Sequence, residues 1–241
     1  MTVAEVVERL GRERATAILR CSDAEVGAEA MSAAIRAGFR VVEVTLTTPG
    51  ACELIGDLAR RDDLLVGAGT VLTREDAQRA VEAGARFLVS PVTDVDIIAA
   101  AASLGVAAMP GGHTPTELLA AHRAGAPFVK LFPAPAGGPA WLRSVLAPLP
   151  LLRVVPTNGV DEGNAGEWLA AGAWAVGLAA VLFAPEDLAN RRYERIEERA
   201  GRLLAAVRSS GASQPAAGST TTSNTLGQSL PVSRNVPVSG R

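Results

Sequence analysis

Lysine is almost missing from this 241-residue chain: of its 23 basic residues only Lys130 is a lysine, and every other is arginine. Cysteine is nearly as scarce. Cys21 and Cys52 have no metal-ligand spacing and build no disulfide framework, so they are expected to be reduced, buried thiols of a cytoplasmic protein. The only histidines, His113 and His122, stand apart without an acid pattern nearby, which argues against a metal site. Charge of either sign is not in excess. A formal net charge of −2 leaves no basic footprint for nucleic acid or an anionic membrane. Long apolar runs are missing too, since 97–110 and 173–185 are glycine-broken and shorter than a bilayer span. Residues 1–14 carry acids and arginines in place of an apolar h-region, so they read as an amphipathic helix and not as a signal peptide.

What is present is a globular composition, 48% apolar and 20% charged. With aromatics at 4%, the core has to be mostly Ala, Val and Leu. A chain this long buries well over half of its unfolded surface and needs no covalent staple. Short apolar runs at 15–20, 41–46, 64–71, 87–92, 106–112, 128–133, 152–159 and 174–183 end in Gly, Pro, Ser or Thr and read as strands. Helical patterns fill 23–37, 51–61, 73–83, 94–104, 114–123 and 164–171. Asp23, Thr73, Asp94 and Thr114 are placed as N-caps. Ala-Gly pairs at 37–38, 83–84, 124–125 and 171–172 supply the C-terminal break before the next strand. Strand–helix units repeated in this way predict an α/β fold, a single-domain (β/α)8 TIM barrel over 1–208. Near-continuous apolar strands fit a parallel sheet covered by helices. The alternative is an open doubly wound sheet. No G-x-G-x-x-G opens a helix, and GAGT at 67–70 is too short to count as a nucleotide loop. Residues 209–241 have no acid, no aromatic and many Ser, Thr, Pro and Gly, and are expected to form a disordered tail outside the barrel.

In such a barrel, function sits at the C-terminal ends of the strands. The polar residues inside or ending the strand runs are Arg20, Glu43, Thr45, Thr47, Thr70, Ser90, Lys130, Thr157 and Asn158. Lys130 stands in FVKLFP, where a lysine is least expected. An interior ammonium is costly unless it pairs or sheds its proton. Chemistry that needs lysine and cannot use arginine is amine nucleophilicity, as in a Schiff base. The plain alternative is a snorkelling or ion-paired lysine. Glu43 is the only acid within a strand run, and alternation turns its side chain to the face opposite Val42 and Val44. Lys130 is its obvious partner, either in a structural ion pair or as a nucleophile whose protons the carboxylate moves. His113 follows Gly-Gly at a strand end and either touches substrate or caps the next helix, while His122 belongs on a helix surface.

EVTLTTPGA (43–51), VGAGTVLT (66–73), FLVSP (87–91), MPGGHTPTELLAAHRAGA (109–126), VKLFPA (129–134), VPTNGV (155–160) and EWLAAGAWAVG (167–177) together resemble the 2-keto-3-deoxy-6-phosphogluconate / 4-hydroxy-2-oxoglutarate aldolases. The likeness runs in order from about residue 12 to 207. It implies a class I lyase of carbohydrate metabolism that is a cytoplasmic homotrimer and needs no metal or other cofactor. Its partners would be a small 2-keto acid and an aldehyde, with no nucleic acid and no membrane. By the same resemblance Lys130 matches the Schiff-base lysine and Glu43 the general acid/base. Thr70 and Pro91 match residues lining the pyruvate pocket, Arg20 an arginine near the substrate carboxylate, and Phe132 an aromatic packed beside the lysine.

The chain also departs from the family pattern. Thr47 occupies a position that is arginine in some members and threonine in others. Asn158-Gly159 stands where members usually show Gly-Gly, and Ala179-Ala180 where they show Gly-Ser. Gly112-His113 alters the pocket rim. Turns of that kind hold phosphate through backbone N–H groups and a hydroxyl. Weak discrimination for a distal phosphate is therefore expected. The reaction implied is reversible cleavage of a 2-keto-3-deoxy sugar acid, phosphorylated or not, or of 4-hydroxy-2-oxoglutarate, to pyruvate plus an aldehyde. The alternatives are an idle or engineered aldolase-derived barrel serving as an oligomeric scaffold, and another phosphate-binding barrel enzyme such as a synthase or epimerase.

Overall fold

A computed structural model describes residues 1–211. Helix α1 (Val3–Glu13) leads into strand β1 (Ala15–Leu19), and the chain then alternates. In order come α2 (Ala24–Arg36), β2 (Val41–Thr45), α3 (Ala51–Ala59), β3 (Leu65–Gly69), α4 (Arg74–Glu82), β4 (Phe87–Val89), α5 (Val95–Ser103), β5 (Ala107–Met109) and β6 (Gly111–Gly112). The second half runs α6 (Pro115–Arg123), β7 (Val129–Leu131), α7 (Gly138–Leu146), β8 (Val154–Pro156), α8 (Ala165–Ala170), β9 (Val176–Leu178), α9 (Pro185–Ala189) and α10 (Tyr193–Gly211). Asp23, Thr73, Asp94 and Thr114 are N-caps as the sequence predicts, each accepting a backbone N–H of the first turn.

Every strand pairing is parallel. One sheet has the order β5-β4-β3-β2-β1-β9 and the other β6-β7-β8. They join twice. The chain passes from β5 to β6 through Pro110, whose carbonyl accepts the N–H of Lys130 at 2.8 Å. A parallel bridge between Thr157 and Gly177 links the end of β8 to β9. The ring of the expected barrel thus closes, with β5 and β6 as two halves of one stave. The single run read at 106–112 splits because proline offers no N–H to the ladder.

Two apolar zones hold the ring. Outward residues such as Val42, Val44, Leu88, Val129 and Leu131 pack beneath the helices. Inward residues at the N-terminal end, among them Val41, Leu65, Phe87, Phe128 and Val155, form a plug. Helix α1 seals that plug with Val6 and Leu10, so the amphipathic N-terminal helix has its apolar side on the barrel floor. A Cβ at Gly67 would run into the Phe87 ring, so glycine there lets a large side chain cross the interior.

Some boundaries differ from the sequence reading. The last strand covers Val176–Leu178 and not 174–183, so Ala179 and Ala180 lie in the turn that follows. Helix α10 reaches Gly211, past the expected domain end at 208. Residues 212–241, most of the expected tail, lie outside the described residues. Cys21 is buried and reduced as expected, but Cys52 is half-buried. No helix among the described residues is long and apolar enough to cross a membrane.

Candidate active site

Strand alternation builds the site one layer above the apolar plug. On β2 the inward row is Val41, Glu43 and Thr45, and on the other side of the ring it is Phe128, Lys130 and Phe132. The interior therefore changes from apolar to polar along each strand, at the end away from α1. A cavity of about 270 Å³ opens there.

Ten of the twelve residues singled out from the sequence line this cavity. From the first half come Arg20, Glu43, Thr70 and Pro91, and from β7 and its end Lys130 and Phe132. Asn158, Gly159, Ala179 and Ala180 complete the wall beyond β8 and β9. Thr47 and His113 are not brought in. Thr47 is exposed, with its hydroxyl 3.1 Å from that of Thr45. The His113 ring turns away, its Nδ1 2.8 Å from the Pro133 carbonyl oxygen, and His113 and Thr114 both donate backbone N–H groups to Glu117. His113 thus secures the turn before α6 and does not line the cavity.

Ile18, Thr45, Thr157, Val160, Gly177 and Val181 also line the cavity. Thr45 and Thr157 were legible as polar strand residues but were not assigned to the site. Ile18 could have been found by alternation, since it lies between Thr16 and Arg20 on the inward face of β1.

Glu43 is 2% exposed. Burial pushes its carboxyl above the ordinary value, and the nearby charges of Lys130 and Arg20 pull it back only in part. Its place depends on Gly69, where a Cβ would collide with the carboxylate. Lys130 is 8% exposed, with Nζ 4.9 Å from the Phe132 ring centroid, within reach of a cation–π interaction. All ion pairs of the described residues join an arginine to an acid, and Lys130 is in none of them. Glu43 and Lys130 face one cavity without forming the contact salt bridge that a purely structural pair would show.

Thr70 has φ +58°, the left-handed region, a genuine outlier for a β-branched residue. Its hydroxyl accepts a hydrogen bond from Arg20 Nη2 at 3.1 Å. Asn158, at φ +61°, makes the same kind of turn with a residue that tolerates it. The Thr157 hydroxyl is buried with no hydrogen-bond partner among the described residues, and it faces a Gly177 that could carry no Cβ without touching it. Together these groups offer one amine, one protonatable carboxyl, one guanidinium and an unpaired hydroxyl around a small space.

The model of the KDPG and KHG aldolase family matches residues 6–199. A probable 2-dehydro-3-deoxy-6-phosphogalactonate aldolase of Rhizobium meliloti (strain 1021) is 37% identical over 172 residues, which is 70% of this chain and 81% of that protein. Among solved structures, a cube-shaped, highly porous protein cage designed by fusing symmetric oligomeric domains superposes with a TM-score of 0.74 at 31% identity, covering 83% of this chain and 73% of that one. The KDPG aldolase of Legionella pneumophila, with pyruvate captured at low pH as a covalent carbinolamine intermediate, gives a TM-score of 0.72 at 28% identity, covering 79% of this chain and 93% of that one.

Proposed function

The chain belongs to the KDPG and KHG aldolase family, whose named members are lyases, and on that premise we propose that it is a class I aldolase in which Lys130 forms the Schiff base and Glu43 moves the protons. The observation that carries this reading is the placement of the only lysine of the chain in the same cavity as its one carboxyl buried within a strand. The substrate is a 4-hydroxy-2-keto acid, either a 2-keto-3-deoxy sugar acid or 4-hydroxy-2-oxoglutarate.

Neutral Nζ of Lys130 adds to the C2 carbonyl carbon and the oxygen takes a proton, giving a carbinolamine. Loss of water leaves an iminium. The Glu43 carboxylate then takes the C4 hydroxyl proton as the C3–C4 bond breaks. The bond's electron pair moves onto C3 and the iminium nitrogen, and the aldehyde departs. Glu43 returns the proton to C3, and water hydrolyses the imine to pyruvate and free lysine. A carboxyl raised by burial suits this alternation, because a proton carrier works best with its pKa nearer the operating pH. Arg20 and Thr70, already hydrogen-bonded to each other, hold the substrate carboxylate. Pro91 and Phe132 pack on the pyruvate methyl and the lysine stem. Asn158, Gly159, Ala179 and Ala180 meet the aldehyde half. Family resemblance supports a homotrimer in the cytoplasm, and sedimentation at three times the chain mass is the expected result.

Borohydride reduction in the presence of pyruvate tests the reading. A reduced pyruvyl adduct is expected on the peptide that contains Lys130. No adduct, or aldol turnover retained in Lys130→Arg, would overturn it.

A further inference from the structure

A second and larger cavity, of about 580 Å³, lies beside the first. The two meet along Ile18, Arg20, Ala179 and Ala180, which line both. The far wall is apolar and comes from Val26 on α2, Phe183, and Leu188 on α9. This volume is typical of a small-molecule site.

Charged groups around this cavity are already engaged. Asp23 accepts the Val26 backbone N–H at 2.9 Å as the cap of α2. Arg191 pairs with Glu25 at 3.1 Å, and Arg20 reaches Thr70 in the first cavity. The wall is also fixed. Asp187, 3% exposed, ties α9 to α10 through Arg199 at 2.5 Å. The space next to the reaction centre is thus a preformed slot with an apolar far wall, and its boundary with that centre is Ile18, Arg20 and the two methyl side chains at 179 and 180.

We propose that this slot is an acceptor subsite for the apolar tail of an aldehyde, so that the chain adds pyruvate to unphosphorylated alkyl aldehydes. The proposal rests on the imine reading above. In the synthetic direction, Glu43 takes a C3 proton from the pyruvate imine to give the enamine. C3 then bonds to the aldehyde carbon, the aldehyde oxygen takes the proton from Glu43, and water releases a 4-hydroxy-2-keto acid whose alkyl chain lies in the slot. Atoms balance without oxidant or reductant. Ala179 and Ala180 matter here because their methyl groups give the tail an apolar path beside Arg20, whose guanidinium donates to Thr70 in the first cavity.

The test is kcat/KM for addition of pyruvate to acetaldehyde, butanal and hexanal by the full chain, with borohydride trapping of pyruvate alongside. Burial of each methylene is expected to raise kcat/KM about threefold, which is about eighty-fold over the four methylenes from acetaldehyde to hexanal. Ala189→Trp fills the slot from an exposed position of α9 and is expected to flatten the series, and Leu188→Asn to shorten its rise. Trapping in each variant reports an intact fold. A normal pyruvate adduct with a flat series in the unaltered chain overturns the subsite and leaves the imine reading standing. So does a rise that survives Ala189→Trp in a variant that still traps pyruvate. Absence of any adduct overturns both.

Discussion

Gly69 and Glu43 occupy one space: a Cβ on the glycine would fall on the carboxylate of the glutamate. The two sit on neighbouring parallel strands, β3 and β2, and both belong to the inward row. Gly69→Ala is expected to displace Glu43 at a cost of about 1–3 kcal/mol in stability, the usual range for overpacking. Turnover should fall by about two orders of magnitude while pyruvate trapping at Lys130 persists, because proton transfer and not imine chemistry loses its group. Equal loss of trapping and turnover would contradict this division of labour.

Lys130→Arg keeps the positive charge but offers no usable amine. Both the adduct and the activity are expected to vanish. Since no second lysine exists, mass spectrometry has a single side-chain amine to examine.

Glu43→Gln is expected to lower kcat by about 10²–10⁴-fold. Its stability has a pH signature whose sign follows from the raised carboxyl. A carboxyl held above its ordinary 4.5 by burial favours the protonated folded state. Its contribution is complete below that value and is lost as pH rises toward the folded-state pKa. Glutamine never ionises, so the variant's melting temperature relative to the unaltered chain should climb from pH 4.5 upward and then level off. Parallel melting curves across that range would show that Glu43 carries no such cost.

Thr70→Asn exchanges a strained β-branched residue for one that accepts a positive φ. A gain of about 1 kcal/mol in stability is expected. The hydroxyl that accepts from Arg20 is lost at the same time, so KM for pyruvate should rise by about tenfold, roughly 1.4 kcal/mol. Chemical denaturation and steady-state kinetics on one preparation would separate the two effects, and a less stable variant would show that the threonine is not strained.

Lys130 and Glu43 were legible because each breaks a pattern, the one as the sole lysine and the other as the sole acid in a strand. Their common cavity needed the closed ring. Thr47 falls outside the cavity lining because β2 ends at Thr45 and the chain turns after Leu46, whose N–H goes to the Gly69 carbonyl. His113 also falls outside the lining, since position at a barrel mouth does not fix where a ring points, and here its Nδ1 lies at the Pro133 carbonyl. The second cavity was invisible for a different reason. Val26, Phe183 and Leu188 are ordinary apolar residues in sequence, and α9 has only five residues, too few to show a helical period.

Enclosing the only lysine has a consequence for proteolysis. A lysine-specific protease has a single internal cleavage site, and that bond lies in β7, buried at the centre of the barrel. The folded chain should resist it entirely, and each unfolding event should yield the same two fragments, 1–130 and 131–241. Cleavage then counts global opening of the barrel without interference from surface loops, and a ligand covalently bound at Nζ removes the site altogether.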